Sequence, residues 1–357
     1  MEVPPIVQRP PLICTYNIQK FSKQSALPSD GICDQIYLDS LCRAPPCSVP
    51  WTPTGVTTEF LDVAKMARTG GNKTRLGLAF DAHASNGLSI FSNGDDKKRI
   101  TEELWNTYKC SHYASLDHNI RSFTSPAAAS RLWNELLFLR THVKSLSGVQ
   151  DDFGLVLGIL STDIPKMIAK VLDDYDRKPP YLTNFVIISH TSFENYALAP
   201  YGDTASFDLT NCYIVPPTIH NYSSHYNQTY YTTLADSRKF LKKLLNATQT
   251  VPTAVSVTLK GRWFTSKAPV DQNRDLFKKC TKFNETTEAA PHSMCAFKER
   301  VKDLKFSFAV YDIDADESSN PCPKVQYTGQ YNRLKLLRKL ADFMENYTNK
   351  QDCESVS

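Results

Sequence analysis

Tyr113 to Arg121, YASLDHNIR, is a short alternating segment held between two stretches of helical pattern, Lys97 to Lys109 and Ser125 to Leu146. That α-β-α setting is what a strand of a parallel β/α barrel requires, and alternate side chains of such a strand point into the barrel. In the register read from the sequence, Asp117, Asn119 and Arg121 share the inward face. Their tips then converge toward the strand's C-terminal end, where barrels place their chemistry.

The helical stretches carry ordinary core periodicity. Ser125 and Pro126 read as an N-cap and first helical position, followed by Leu132, Leu136, Leu139 and Val143 on one face. Leu234, Leu241, Leu244 and Leu245 stripe a later helix, and Leu334, Leu337, Ala341 and Met344 stripe the last. A chain of 357 residues is long for one core, yet β/α barrels reach that size as single domains. The organisation expected is a Pro-rich tail at 1–10, one (β/α)8 barrel over 11–347 and a tail at 348–357. The 41 basic and 37 acidic residues are spread without a basic stripe, which argues against a nucleic-acid partner. No run approaches the ~20 apolar residues of a membrane span.

Ten cysteines and six N-x-S/T sequons, at Asn72, Asn221, Asn227, Asn246, Asn284 and Asn346, point to an oxidising, extracellular compartment. No cysteine pair has metal spacing, and the even count is compatible with five disulfides. The opening MEVPPIVQRPP is Pro-rich without an apolar leader segment, so a secretory signal has been removed or the start is incomplete.

Laid on Ala114 to Arg121, the fourth-strand signature D-G-x-D-x-D-x-E of glycoside hydrolase family 18 keeps its second acid as Asp117 and has Asn119 for its third. The essential Glu becomes Arg121. The other strands resemble that family in order. PLICTYN (Pro11–Asn17) and GICDQIYLDSL (Gly31–Leu41) resemble the first two, TRLGLAFDA (Thr74–Ala82) the third, with Asp81 where chitinases have Gly, and FGLVLGIL (Phe153–Leu160) the fifth. LTNFVIISHTSF resembles the sixth, with Thr191 and Ser192 in place of Tyr and Asp. AVSVTLKGRWFTS (Ala254–Ser266) resembles the seventh through Gly261, Arg262, Trp263 and Phe264. FSFAVYDIDADESSNPC resembles the eighth, with Tyr311 in place of Trp. Where many members insert an α+β subdomain, Lys267 to Asp303 reads as a short loop pinned by Cys280 and Cys295, so the full insertion is absent. The resemblance places Cys14 and Cys33 on adjacent strands at similar depth and so implies a disulfide between them.

The resemblance also frames an absent mechanism. A guanidinium stays protonated and cannot donate a proton to a leaving glycosidic oxygen. The expectation is a secreted, non-catalytic chitinase-like glycoprotein, monomeric and without cofactor, that binds a glycan or a secreted or host protein at the former active-site face. The ligand-binding candidates are Asp81, Tyr196, Tyr201, Arg262, Trp263, Tyr311 and Asp312. Seven tyrosines between Asn195 and Thr233 add aromatic surface, and alanine at Tyr201 or Tyr311 is expected to weaken binding. Two alternatives stay open: a hydrolase rebuilt on Asp81, Asp117 and Asp312, and an interaction scaffold with a vestigial pocket. Asp312, Asp314, Asp316 and Glu317 lack the glycine and spacing of an EF-hand and read as a solvated strand end. His83, His118 and His190 lie near strand ends; the parity of His118 and His190 assigns them to helix packing rather than to zinc.

Overall fold

The computed structural model describes residues 11–18, 20–22, 24–41, 56–80, 82–83, 87–88, 94–116, 126–146, 148–149, 152–160, 182–189, 238, 241–242, 244–245, 251–266, 280–287, 291–316 and 330–356. Eight parallel strands close into a barrel: β1 (Ile13–Asn17), β2 (Gln35–Leu41), β3 (Arg75–Phe80), β6 (His112–Ser115), β7 (Gly154–Leu160), β8 (Asn184–Ile188), β9 (Thr253–Thr258) and β12 (Ser307–Tyr311). Outside this sheet lie two antiparallel pairs, β4 (Ala82–His83) with β5 (Gly87–Leu88) and β10 (Lys260–Ser266) with β11 (Cys280–Thr287). The helices are α1 (Val56–Thr69), α2 (Gly94–Tyr108), α3 (Pro126–Ser145), α4 (Pro291–Arg300), α5 (Asn332–Glu345) and α6 (Lys350–Val356), and residues 238, 241–242 and 244–245 are also helical.

One hydrogen bond fixes which face of every strand is inside. The Tyr311 hydroxyl donates to the Leu116 carbonyl at 3.1 Å. Tyr311 ends β12 and Leu116 follows β6, which stand diametrically opposite in the closed sheet, so the Tyr311 ring crosses the barrel interior. The ladder pairings carry this parity around the ring. Thr258, Ser256, Gly158, Gly154, His112, Gly77 and Thr15 face inward, while Leu78, Leu157, Phe185, Val255 and Phe308 face the helices. Aromatic packing agrees: on the outer face Phe308 meets Phe306, which meets Phe297 of α4, and Tyr16 reaches Phe60 of α1 through Phe21. The inside thus mixes small and polar residues with Tyr37, Val186, Ile188 and Tyr311, while large apolar residues coat the outside where helices cover them.

The same parity fixes the face of the described part of the fourth strand. Tyr113 and Ser115 point to the helices, and His112 and Ala114 point inward. Both faces of this strand are buried, so its residues carry no polar alternation that would reveal the register. The same parity puts Val186 and Ile188 of β8 inside. Asp117, Asn119, Arg121, His118 and His190 themselves lie outside the described residues.

The expected seventh strand is two elements. β9 ends at Thr258, and the chain leaves the barrel at Leu259, whose N–H donates to the Tyr311 carbonyl and whose carbonyl accepts from Arg333. Gly261, Arg262 and Trp263 therefore belong to the β10–β11 hairpin. That hairpin and α4 replace the short loop expected at Lys267 to Asp303. Cys295 does not pin it to Cys280: Cys295 of α4 is bonded to Cys353 of α6, so residues 348–357 are not a free tail. Cys14 and Cys33 are joined, with their Cα atoms 6.1 Å apart. Cys110 is a buried free thiol, so the ten cysteines cannot form five disulfides.

Local chemistry ends the helices where the strands must begin. α1 buries Phe60, Leu61 and Ala64, and it stops at Gly70 and Gly71. Gly71 takes φ 75°, a left-handed turn that a side chain resists, and the Asn72 N–H returns to the Ala67 carbonyl. In α3, Leu132, Leu136, Leu139 and Val143 are all buried on the expected face. α5 buries Leu334, Leu337 and Met344; its N-terminus is held by Asp316, which accepts from the Leu334 N–H and pairs with Arg333, each at 2.8 Å.

Candidate functional site

The barrel carries polar groups at both ends. At the N-terminal end, Asp152 accepts from Arg68 and Arg75, each at 2.9 Å, and stands 3.8 Å from the buried His112 ring. Ser111 links His112 Nδ1, Arg68 and the Asp152 carbonyl. Burial, opposed in part by Asp152 and reinforced by Arg68 and Arg75, pushes the His112 pKa down to about 4. Burial also pushes the Cys110 thiol up to about 12. Neither group is ionised near neutral pH, and this cluster is a structural plug.

A pH dependence follows from that plug. Unfolded His112 binds a proton near pH 6.5, but the folded ring does not until about pH 4. Between these values the unfolded chain holds more protons, so stability falls as the pH falls through that window. The loss amounts to roughly 3 kcal/mol. Urea unfolding at steps from pH 7 to 4 should show this slope, and His112→Asn should remove it; an unchanged slope in the variant would place the titration elsewhere.

The C-terminal end is the mouth. β12 terminates at Asp312, whose φ of 59° turns the chain into a short 3-10 helix, Ile313–Asp316. Asp tolerates this left-handed geometry better than most residues. Three contacts hold it: the Asp312 N–H donates to Thr15 Oγ1 at 3.2 Å, Thr258 Oγ1 donates to Asp312 Oδ2 at 2.8 Å, and the Asp312 carbonyl accepts from Ala315. Asp314 Oδ1 accepts from the Asn17 N–H at 3.1 Å. On the neighbouring strand Asp39 pairs in register with Asn17 and is 8% exposed. Asp312 and Asp314 are half-buried and Asp316 is buried, so the acidic run is part of the protein's own bonding rather than a solvated strand end. Asn17, Thr258, Asp312 and Asp314, all partly exposed, form a rim of amide, hydroxyl and carboxylate groups that can exchange hydrogen bonds with a polyhydroxylated ligand, and the buried Thr15 and Asp39 stand beside them. Among the described residues no group of His, Cys, Asp and Glu is arranged to hold a metal ion.

Of the sequence candidates, Asp312 lies on this rim and Tyr311 lies under it. Tyr311 is 0% exposed, so it is a floor and not part of an open aromatic platform. The backbones of Arg262 and Trp263 lie in β10. Asp81, Tyr196, Tyr201, Thr191 and Ser192 lie outside the described residues, as do Asn221, Asn227 and Asn246. Asn284 is in β11, Asn72 follows α1, and Asn346 caps α5. Thr15, Asp39 and Thr258 escaped the sequence reading, although each stands near the C-terminal end of a barrel strand, where barrel sites are built.

No family profile and no curated protein matches the chain. Solved structures do. A Group IV chitinase of Ostrinia furnacalis, in complex with allosamidin, aligns with a TM-score of 0.57 and 9% identity over 93% of this chain and 99% of its own. The same enzyme without the inhibitor gives 0.56 and 10% identity over 92% and 99%. YKL-39, crystallised in the presence of chitooligosaccharides, gives 0.58 and 10% identity over 93% and 99%. The chain thus has the closed β/α barrel fold of chitinases and chitinase-like proteins. No helix among the described residues is long and apolar enough to cross a membrane.

Proposed function

We propose that this chain is a secreted, catalytically degenerate relative of the family 18 glycoside hydrolases that binds a glycan at the C-terminal mouth of its barrel. The observation that carries this reading is Arg121, which stands in the sequence where the family signature has its proton-donating Glu. Loss of a general acid alone forfeits a factor of about 10² to 10⁴. The fold supports a sugar ligand in particular, since YKL-39, of like fold, was crystallised with chitooligosaccharides. The hydroxyl and carboxylate rim around Asp312 supplies the chemistry for such a ligand. Disulfides, one of them spanning 58 residues, support an oxidising compartment.

Turnover of a fluorogenic chitobioside from about pH 4 to 8 tests the catalytic half, because that range spans the protonation of carboxylates and histidine. The expected rate is more than a hundredfold below that of an ordinary chitinase. A higher rate would favour the hydrolase built on Asp81, Asp117 and Asp312. Titration with N-acetylglucosamine oligomers tests the other half: saturable binding lost in Thr258→Val supports the mouth as the site. Binding of a protein partner with no affinity for any glycan would instead make the fold a scaffold.

A further inference from the structure

Two of the six sequons, Asn72 and Asn346, fall on described backbone with described side chains, and both stand at the same end of the barrel. Asn72 lies between the C-terminus of α1 and the first residue of β3, which is the N-terminal end of the barrel. Asn346 caps the C-terminus of α5, which runs back from the mouth to that same end. Its neighbour Tyr347 confirms the position by donating to Glu299, at the end of α4 just ahead of β12. The loop before β2 ties the two places together: Asp30 accepts from the Lys73 and Thr74 N–H groups, and Asp34 pairs with Arg338 of α5.

We propose that Asn72 and Asn346 both carry N-linked glycans, so that sugar covers the N-terminal end of the barrel. This inference rests on the secretory reading above. Asn346 is exposed and Asn72 is half-buried. Among the described residues neither side-chain amide has a hydrogen-bond partner, so a bond formed at Nδ2 displaces no interaction of the fold. The donor is a lipid-linked oligosaccharyl diphosphate. The bond from the sugar's C1 to Nδ2 forms, the bond from C1 to the diphosphate oxygen breaks, the lipid diphosphate leaves with that electron pair, and the amide nitrogen gives up one proton.

The hydroxyls of the two sequons set the timing. Thr74 is buried, donates to the Cys33 carbonyl at 2.8 Å and accepts from the Gly31 N–H at 2.8 Å. Thr348 donates to Asp352 in α6. In the folded chain both hydroxyls are occupied, so the transferase must act before β2 and β3 pair and before α6 docks.

The test uses the full chain, passed through the secretory route of a eukaryotic cell behind a cleavable leader. Release of glycans by a peptide-N-glycosidase in heavy-oxygen water converts each occupied Asn to a labelled Asp, read by peptide mass spectrometry. Label is expected at Asn72 and Asn346 in most molecules, and N346Q should lose one glycan's mass with an unchanged melting temperature. Either site recovered unlabelled, while any other sequon is labelled, overturns the proposal and leaves secretion standing. No label at any sequon overturns both. The mapping is made on the natural sequence, so misfolding of a variant cannot obscure it.

Discussion

Tyr311→Ala is expected to destabilise the protein by about 3 to 5 kcal/mol, the range for emptying a fully buried aromatic site. The ring is 0% exposed and spans the barrel, and its hydroxyl satisfies the Leu116 carbonyl on the far wall. Tyr311→Phe keeps the volume and removes only the hydroxyl, and should cost about 1 to 3 kcal/mol for the carbonyl left without that donor. Guanidinium unfolding of the three proteins measures both. If neither variant moves stability by more than ~0.5 kcal/mol, the scale of a neutral surface change, the ring does not bridge the barrel. The larger loss in Ala also separates floor from contact surface: its effect on a ligand should track the folded fraction.

Gly77→Ala should cost about 3 kcal/mol, at the top of the range for overpacking a core. A Cβ at this position would lie 2.5 Å from the His112 carbonyl oxygen, 2.7 Å from His112 Cβ and 2.7 Å from the Tyr37 ring. Two of those three are backbone or the root of a side chain, which cannot swing aside. Gly154 flanks the same histidine from the other strand, with Cβ space only 2.2 Å from the imidazole Cδ2. Thermal unfolding of Gly77→Ala beside Met66→Ala, a change at a 63% exposed side chain, provides the contrast. Equal melting temperatures would show that β3 and β6 are not packed at this register.

The barrel was legible because several of its strands, such as β7, β8 and β12, are apolar runs bounded by polar or helical segments, and that contrast survives in the sequence. PLICTYN became β1 and FGLVLGIL became β7 almost to the residue. What sequence could not give was facing. In YASLDHNIR, Tyr113, Ala114 and Ser115 are all buried, and a strand buried on both sides looks alike in either register. AVSVTLKGRWFTS kept alternating past Thr258, so the exit at Leu259 was invisible; it is made by Tyr311 and Arg333, distant in sequence. α4 and α6 escaped for a related reason. Each is short and rich in charge, and each is held by a bond across 58 residues that no local pattern announces. The acidic rim was half seen: Asp312 was named, but its partners Thr15 and Thr258 come from other strands.

The covalent link from Cys295 to Cys353 also decides how the molecule would bear tension. A pull applied beyond Cys353 passes through the sulfurs directly into α4, and α5, which lies between them in sequence, carries none of it. The Arg333 and Asp316 anchor at the start of α5 lies in the bypassed segment, as does β12. A fold stitched in this way can be held from that end by a surface or a larger assembly while its opposite rim remains intact.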